Sequence, residues 1–296
     1  MIEHNMEDII IVSRPIEEAH IVIIPVPYEG TVSGGKGTSL GPQAVMDAMK
    51  HQLEDYDRFN DCVICDYVNI VEYPSLFVEK LSPEEMVAQV RKNTEKILSM
   101  DKFPLLLGGE HAISIGSIEA VKNKYSDLTV FQIDAHGDLR DDDSDYVKNS
   151  PSKYAHCCVM KRAIDAGCKT VQVGIRELYR GEIDYIRKNN LTVFQCPVHC
   201  TPDEIISSVE TEYVYLTIDA DGFDPSVMPE TGTPVAGGLD WYFTMSLLAK
   251  LFKSKNVVAL DITEVSPFLP NNMTAKNAAQ LAYSAAGYKF ANMRNY

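Results

Sequence analysis

Short apolar runs that alternate with helix-like stretches are the feature that most limits how this chain can fold. His20–Pro27, Cys62–Val71, Phe103–Leu107, Leu128–Asp134, Thr170–Val173, Leu191–Gln195, Tyr213–Asp219 and Val257–Ile262 are short and nearly continuous in apolar residues. Strands covered on both faces have that character. Between them lie amphipathic stretches. Ser82-Pro83-Glu84-Glu85 opens one as an N-cap with proline at the first helical position, and it can run to Ser99. Gly116–Lys124, Arg180–Lys188, Pro202–Val209, Trp241–Phe252 and Thr274–Phe290 are similar. This alternation predicts an α/β fold, a parallel sheet with helices on both faces. With no Pro/Gly/Ser-rich linker and no repeat, residues 1–296 are expected to form a single domain.

In an open parallel sheet, ligands bind outside the carboxyl ends of the strands, so the residues after each run matter most. Gly108-Gly109-Glu110-His111 follows Phe103–Leu107. Asp134-Ala135-His136-Gly137-Asp138 follows the run ending at Ile133. Asp219-Ala220-Asp221-Gly222-Phe223-Asp224-Pro225 follows Ile218, and Asp261-Ile262-Thr263-Glu264 follows Leu260. On extended chain, residues at i, i+2 and i+4 share a face, roughly 6.5–7 Å apart from one to the next. Asp134, His136 and Asp138 are thus expected to project into one site. Asp219 and Asp221 would join from a neighbouring strand and His111 from a third. Four aspartates in one cleft repel one another unless cations neutralise them. Six such ligands suit two divalent ions roughly 3.5–4 Å apart, which generate a hydroxide nucleophile at neutral pH. Oxygen ligands with one imidazole per ion favour Mn²⁺ over zinc.

Charge and cysteine usage exclude other classes. The formal net charge of −15 disfavours nucleic acid, which needs a basic face, and an anionic membrane surface. It is compatible with a small cationic substrate. Met1–Asp8 has acidic residues and no basic stretch before Ile9–Val12, unlike a secretory signal. No stretch approaches the roughly 18 apolar residues of a membrane span. Seven scattered cysteines read as reduced thiols of a cytoplasmic protein. Cys62-x-x-Cys65 and Cys196-Pro197-Val198-His199-Cys200 lack the partners of a zinc site and read as structural.

These motifs closely resemble the ureohydrolase family of arginases and agmatinases. The resemblance includes Pro25-Val26-Pro27-Tyr28, Gly37-Thr38-Ser39-Leu40-Gly41-Pro42, the run from Asp219 through Pro229-Glu230-Thr231-Gly232-Thr233-Pro234 to Gly237-Gly238-Leu239, and Asp261 through Pro267. It spans almost the whole chain. It implies an α/β/α sandwich around an eight-stranded, mostly parallel sheet, in a homo-oligomer (trimer or hexamer). It implies two Mn²⁺ ions per subunit: one held by His111, Asp134, Asp138 and Asp219, the other by His136, Asp134, Asp219 and Asp221, with Asp134 and Asp219 bridging. It implies attack of hydroxide on a guanidinium carbon, Asp138 passing a proton to the departing amine, Glu264 holding the guanidinium, and His156 shuttling protons. Glu110 is expected to support its loop, and Asp224, before Pro225, to fix a turn.

The substrate is less legible. Arginases resemble one another in an asparagine two residues beyond the Asp138 position and in a Ser-Gly-Asn-x-His segment. This chain has Arg140 and Ser152-Lys153-Tyr154-Ala155-His156 there, a pattern similar to agmatinases. Hydrolysis of agmatine to putrescine and urea is therefore expected. N1-aminopropylagmatine, arginine, a guanidino acid and formiminoglutamate are the alternatives, and a catalytically silent metal-binding relative is the contrasting class. Arg140 is expected to turn away from the substrate toward an acid such as Asp141 or Asp142. Glu230 is expected to be solvated, with contact to a polyamine tail as the alternative.

Overall fold

The computed structural model describes residues 10–269 and 272–290. The expectation for Met1–Asp8 lies outside the described residues. The strands are β1 Ile21–Val26, β2 Tyr56–Asp57, β3 Cys62–Val63, β4 Ile70–Glu72, β5 Phe103–Gly108, β6 Leu128–Ile133, β7 Lys169–Ile175, β8 Thr192–Gln195, β9 Tyr213–Asp219 and β10 Asn256–Thr263. The helices are α1 Gly41–His51, α2 Pro83–Ser99, α3 Ile113–Lys124, α4 Val159–Asp165, α5 Arg180–Asn189, α6 Pro202–Ser207, α7 Trp241–Ser254 and α8 Met273–Phe290.

Eight strands form one sheet in the order β4-β1-β5-β10-β9-β6-β7-β8, and every pairing in it is parallel. β2 and β3 pair separately as an antiparallel ribbon. All residues of β1, β5 and β6 are buried, which is why their sequences are continuous in apolar residues rather than alternating. Side chains alternate across the sheet into two cores. Ile21, Ile23, Leu105, Leu107, Phe131 and Ile133 pack under α1, α6, α7 and α8. Val22, Ile24, Leu106 and Val130 pack under α2, α3 and α4, with α5 at the margin. The result is a three-layer α/β/α sandwich.

The site-bearing strands are β5, β10, β9 and β6, four adjacent central strands, although they are far apart in sequence. The chain lays down β5, leaves two places vacant before β6, builds the edge through β8, and returns with β9 and β10 to fill the gap. The strand order reverses there, and parallel strands put their carboxyl ends on one side, so a crevice opens at that point.

Local signals decided many boundaries. α2 starts with a capping box: the Ser82 hydroxyl accepts from the Glu85 N–H (3.3 Å) and the Glu85 carboxylate accepts from the Ser82 N–H (2.9 Å). The expected strand over Cys62–Val71 divides instead into β3, a 3-10 turn at Ile64–Asp66, and β4. The Tyr283 hydroxyl of α8 accepts the Ile64 N–H (3.1 Å) and so takes over a ladder partner. α1 and α4 were not anticipated. Among the described residues no helix is long and apolar enough to cross a membrane.

Candidate active site

Each loop after a central strand is shaped by close backbone packing. After β5, Gly109 lies against Tyr28, where a Cβ would come within 2.0 Å of the Tyr28 carbonyl oxygen. The Glu110 N–H donates to that oxygen (2.9 Å). The Pro25–Tyr28 motif thus fixes the loop that delivers His111. After β9, Gly222 lies against the end of β6, with a hypothetical Cβ 2.7 Å from Asp134 N. The Asp219 side chain accepts from the Asp221 N–H (2.9 Å), turning Ala220–Gly222 into a short 3-10 turn. Arg176 ties this turn down: its guanidinium donates to the carbonyls of Asp221, Gly222, Phe223 and Val235.

The six aspartate and histidine residues expected from sequence converge. His111 Nδ1 lies 2.9 Å from Asp138 Oδ2, 3.2 Å from Asp134 Oδ2 and 3.4 Å from Asp219 Oδ2. His136 Nδ1 lies 3.2 Å from Asp221 Oδ2 and 3.5 Å from Asp134 Oδ1. Two three-residue groupings have ligand geometry, His111–Asp134–Asp219 and Asp134–His136–Asp221, and Asp134 belongs to both. Asp219, the other expected bridge, belongs to the first alone. The route into the site differs from simple strand alternation. Asp138 has φ +52° and Glu264 has φ +61°, a left-handed conformation that non-glycine residues adopt at a cost. Extended chain therefore does not carry Asp138 inward; a left-handed turn does.

The electrostatics demand added positive charge. Burial raises the Asp138 carboxyl to about 7, and the Asp134 charge adds to the effect. Asp219 is raised well above the ordinary range by burial and by Asp221, Asp134 and Glu264. Burial opposes a charge on His136, yet Asp134 and Asp221 draw its pKa up to about 12. His111 shows what kind of charge fits. Its Nε2 lies 2.8 Å from Thr217 Oγ1, whose proton goes to Asp261 Oδ1 (2.6 Å). The threonine can only accept from the ring, so the imidazole proton sits on Nε2 and the Nδ1 lone pair faces three carboxylates. Nδ1 has no hydrogen-bond partner. A lone pair among carboxylates fits a metal cation, and the mixed imidazole–carboxylate donors suit a hard-to-borderline divalent ion.

The remaining expected residues line the same cavity, of about 370 Å³, with Ser33, Arg140, Tyr146, Glu177, Tyr179 and Thr233. Glu264 is buried. Its Oε1 accepts the His111 N–H (2.7 Å), and burial, then the Glu110 charge, raises it to about 8. His156 is held to about 4, chiefly by burial.

This arrangement, on this sheet, is accompanied by similarity along the chain: residues 19–287 match the Arginase family. The chain belongs to the arginase family. As a member it is a ureohydrolase, a hydrolase of guanidino carbon–nitrogen bonds. This arginase-family chain is 38% identical over 280 residues to the N(1)-aminopropylagmatine ureohydrolase of Synechocystis sp., covering 92% of this chain and 89% of that one. It is 32% identical over 283 residues to the N(1)-aminopropylagmatine ureohydrolase of Thermus thermophilus, covering 93% and 92%. The agmatine ureohydrolase of Thermoplasma volcanium superposes with a TM-score of 0.85 at 27% identity, covering 98% and 97%.

Several members of this arginase-family site had no sequence signal. Gln132, within an apolar run, donates to Asp134 Oδ2 (2.7 Å), and Gln172 on β7 bonds it from the next strand. Thr233 donates to Asp221 Oδ2 (3.1 Å). An amide in a strand that is buried on both faces is the one clue that would have flagged Gln132. Two expectations are corrected. Glu230 is neither solvated nor among the residues lining the cavity: it is fully buried and accepts N–H bonds from Phe268, Leu269 and Thr274, closing the start of α8. Arg140 pairs with Asp145, not Asp141 or Asp142, and its Cζ sits 4.0 Å from the Tyr179 ring centroid and 4.9 Å from that of Tyr146. Asp224 fixes a turn as expected, accepting from Ser226, Gly237 and Gly238. No disulfide joins the seven cysteines, and neither cysteine pair enters a metal grouping among the described residues.

Proposed function

We propose that this ureohydrolase releases urea from a linear polyamine carrying a terminal guanidinium, with N1-aminopropylagmatine as its preferred substrate. The observation that carries the reading is the 38% identity, over nearly the full chain, to a relative of that name. The cavity supports it. The Glu177 carboxylate at its rim is exposed and has no hydrogen bond or ion pair among the described residues. The Arg140 charge is engaged by Asp145 and two aromatic faces, so among the described residues lining the cavity no lysine or unengaged arginine awaits a substrate carboxylate. Agmatine is the second reading, favoured by the structural likeness to an agmatine ureohydrolase.

In this reading His111, Asp134, Asp138 and Asp219 hold one Mn²⁺, and His136, Asp134, Asp219 and Asp221 hold a second. When bound, such a pair supplies hydroxide at neutral pH and stabilises developing charge. Glu264, with Oε1 committed to His111 N–H, offers Oε2 to the guanidinium N–H groups in a charge-assisted bond. Asp138 takes a proton from the attacking water and passes it to the amine as the C–N bond breaks, leaving urea and a protonated amine. His156, neutral at pH 7, accepts or relays a proton at the cavity wall. The chain is proposed to act as one domain in a cytoplasmic trimer or hexamer.

The test is urea release from the Mn²⁺-loaded protein with N1-aminopropylagmatine, agmatine, arginine and 4-guanidinobutyrate at equal concentration. The first is expected to give the highest kcat/KM. Preference for arginine or the guanidino acid would overturn the substrate, and urea from none of them would overturn the reaction.

A further inference from the structure

Residues 28–35 lead into the cavity wall, which Val32, Ser33, Gly34 and Gly35 help to line, and touch two groups that lie far apart in sequence. The Thr31 hydroxyl donates to Glu110 Oε1, and the Thr31 N–H donates to Glu110 Oε2 (2.8 Å). The same Oγ1 accepts the backbone N–H of His156 (3.1 Å) and lies 3.4 Å from its Nδ1. The other ring nitrogen, Nε2, lies 3.2 Å from Ser33 Oγ. Glu110 is fully buried, so its two oxygens find donors only from the protein: Thr31 supplies two of these bonds, and the Gly30 backbone also donates.

A threonine hydroxyl has one proton to give. Here it is given to Glu110, so toward His156 the oxygen can only accept. The ring atom facing it is then Nδ1–H, and the lone pair is left on Nε2, the nitrogen beside Ser33 in the cavity wall. We infer that Thr31 is the positioning residue for His156, anchoring its backbone and directing the proton-accepting nitrogen into the cavity, with Glu110 setting the direction of the hydroxyl. The inference rests on the proposed proton-relay role of His156. It gives Glu110, the residue between the motif glycines and His111, a task reaching beyond its own loop. It also accounts for the short 28–35 segment being folded over the site: Thr31 and Ser33, two apart, meet the two ring nitrogens. The relation generalises the way a buried partner selects one tautomer of a catalytic imidazole.

The test compares Thr31→Val, Thr31→Ala, Thr31→Ser and His156→Asn, and the double variant Thr31→Val/His156→Asn, for kcat, KM, bound metal per subunit and melting temperature. Thr31→Val is expected to lower kcat about tenfold with KM and bound metal unchanged, and Thr31→Ser to restore most of it. Thr31→Ala reports the same loss should valine disturb the loop. In the His156→Asn background, Thr31→Val is expected to cost nothing more, because its effect runs through the imidazole. Fully additive losses would overturn the inference, as would a normal kcat for both Thr31→Val and Thr31→Ala when His156→Asn is impaired. A fully active His156→Asn would instead overturn the relay role on which the inference rests.

Discussion

Thr217 Oγ1 lies 2.8 Å from His111 Nε2 and passes its own proton to Asp261, so one hydroxyl decides which imidazole nitrogen is free for a metal. Asp261 is buried and also accepts from Tyr215, so each of its oxygens holds a hydroxyl donor. Thr217→Val keeps the shape and removes this constraint. Metal affinity at the His111 grouping is expected to fall about 10- to 100-fold, read by titrating apoprotein with Mn²⁺. Unchanged affinity would show that the tautomer is fixed elsewhere.

Asp134 is the member common to both ligand groupings. Replacing it with asparagine removes a charge that both proposed ions would share, while Gln132 and the His136 N–H, its present donors, are left facing an amide. Bound metal is expected to fall below one ion per subunit, with turnover lost in step. Elemental analysis of dialysed Asp134→Asn decides this. Retention of two ions would remove Asp134 from the bridging position.

The fold was legible because buried parallel strands write themselves as unbroken apolar runs, and each run ends where chemistry can begin. Asp134, His136, Asp219 and Asp221 were legible for the same reason. What stayed hidden depends on contacts distant in sequence. Glu230 reads as one more surface acid until α8 is docked and its amides turn toward it. Thr31 and Gln132 are ordinary residues in ordinary stretches, given meaning by Glu110, 79 residues on, and by a neighbouring strand. The left-handed turn at Asp138 was also hidden: extended-chain spacing reached the right residue by the wrong path. Arg140 was expected to find an adjacent acid, and the loop's curvature brought Asp145 instead.

His156 bears on acid stability. Its ordinary pKa is 6.5, and burial above all holds it to about 4 in the fold. Between these values the unfolded chain binds the proton and the folded chain does not, so its contribution to stability falls as pH drops from 6.5 to 4. His156→Asn removes this dependence. In chelator, the melting temperature of the parent is expected to decline more steeply from pH 7 to pH 4.5 than that of the variant. Parallel declines would contradict the neutral buried imidazole.

Asp145 balances Arg140 at the cavity rim, and the pair is exposed enough for salt to weaken it. Asp145→Asn leaves the guanidinium charge partly uncompensated against the Tyr146 and Tyr179 faces. KM for a cationic polyamine substrate is expected to rise roughly two- to fivefold at low ionic strength, with less effect at high salt and kcat retained. KM for 4-guanidinobutyrate is expected to move the opposite way. The same shift for both substrates would mean that the loop had moved rather than that its charge had changed.

Glu264 joins strain and chemistry at one residue. Its backbone is left-handed at φ +61°, its N–H donates to Gly109 O (2.8 Å), and its Oε1 accepts the His111 N–H (2.7 Å). The loop after β10 is thereby latched to the loop after β5, and one carboxylate oxygen remains for a guanidinium. Glu264→Gln preserves volume and can keep its carbonyl oxygen on His111 N–H. The amide NH₂ would then face the substrate's own donors, replacing attraction by repulsion where the proposed charge-assisted pair would form. Bound metal is expected to remain at the parent level while kcat/KM falls at least about 100-fold, the loss of a buried charged hydrogen bond of about 3 kcal/mol. Steady-state kinetics beside metal analysis separates the two effects. Loss of metal together with activity would make Glu264 a support for His111 rather than a substrate anchor, and normal kinetics would remove it from the site altogether.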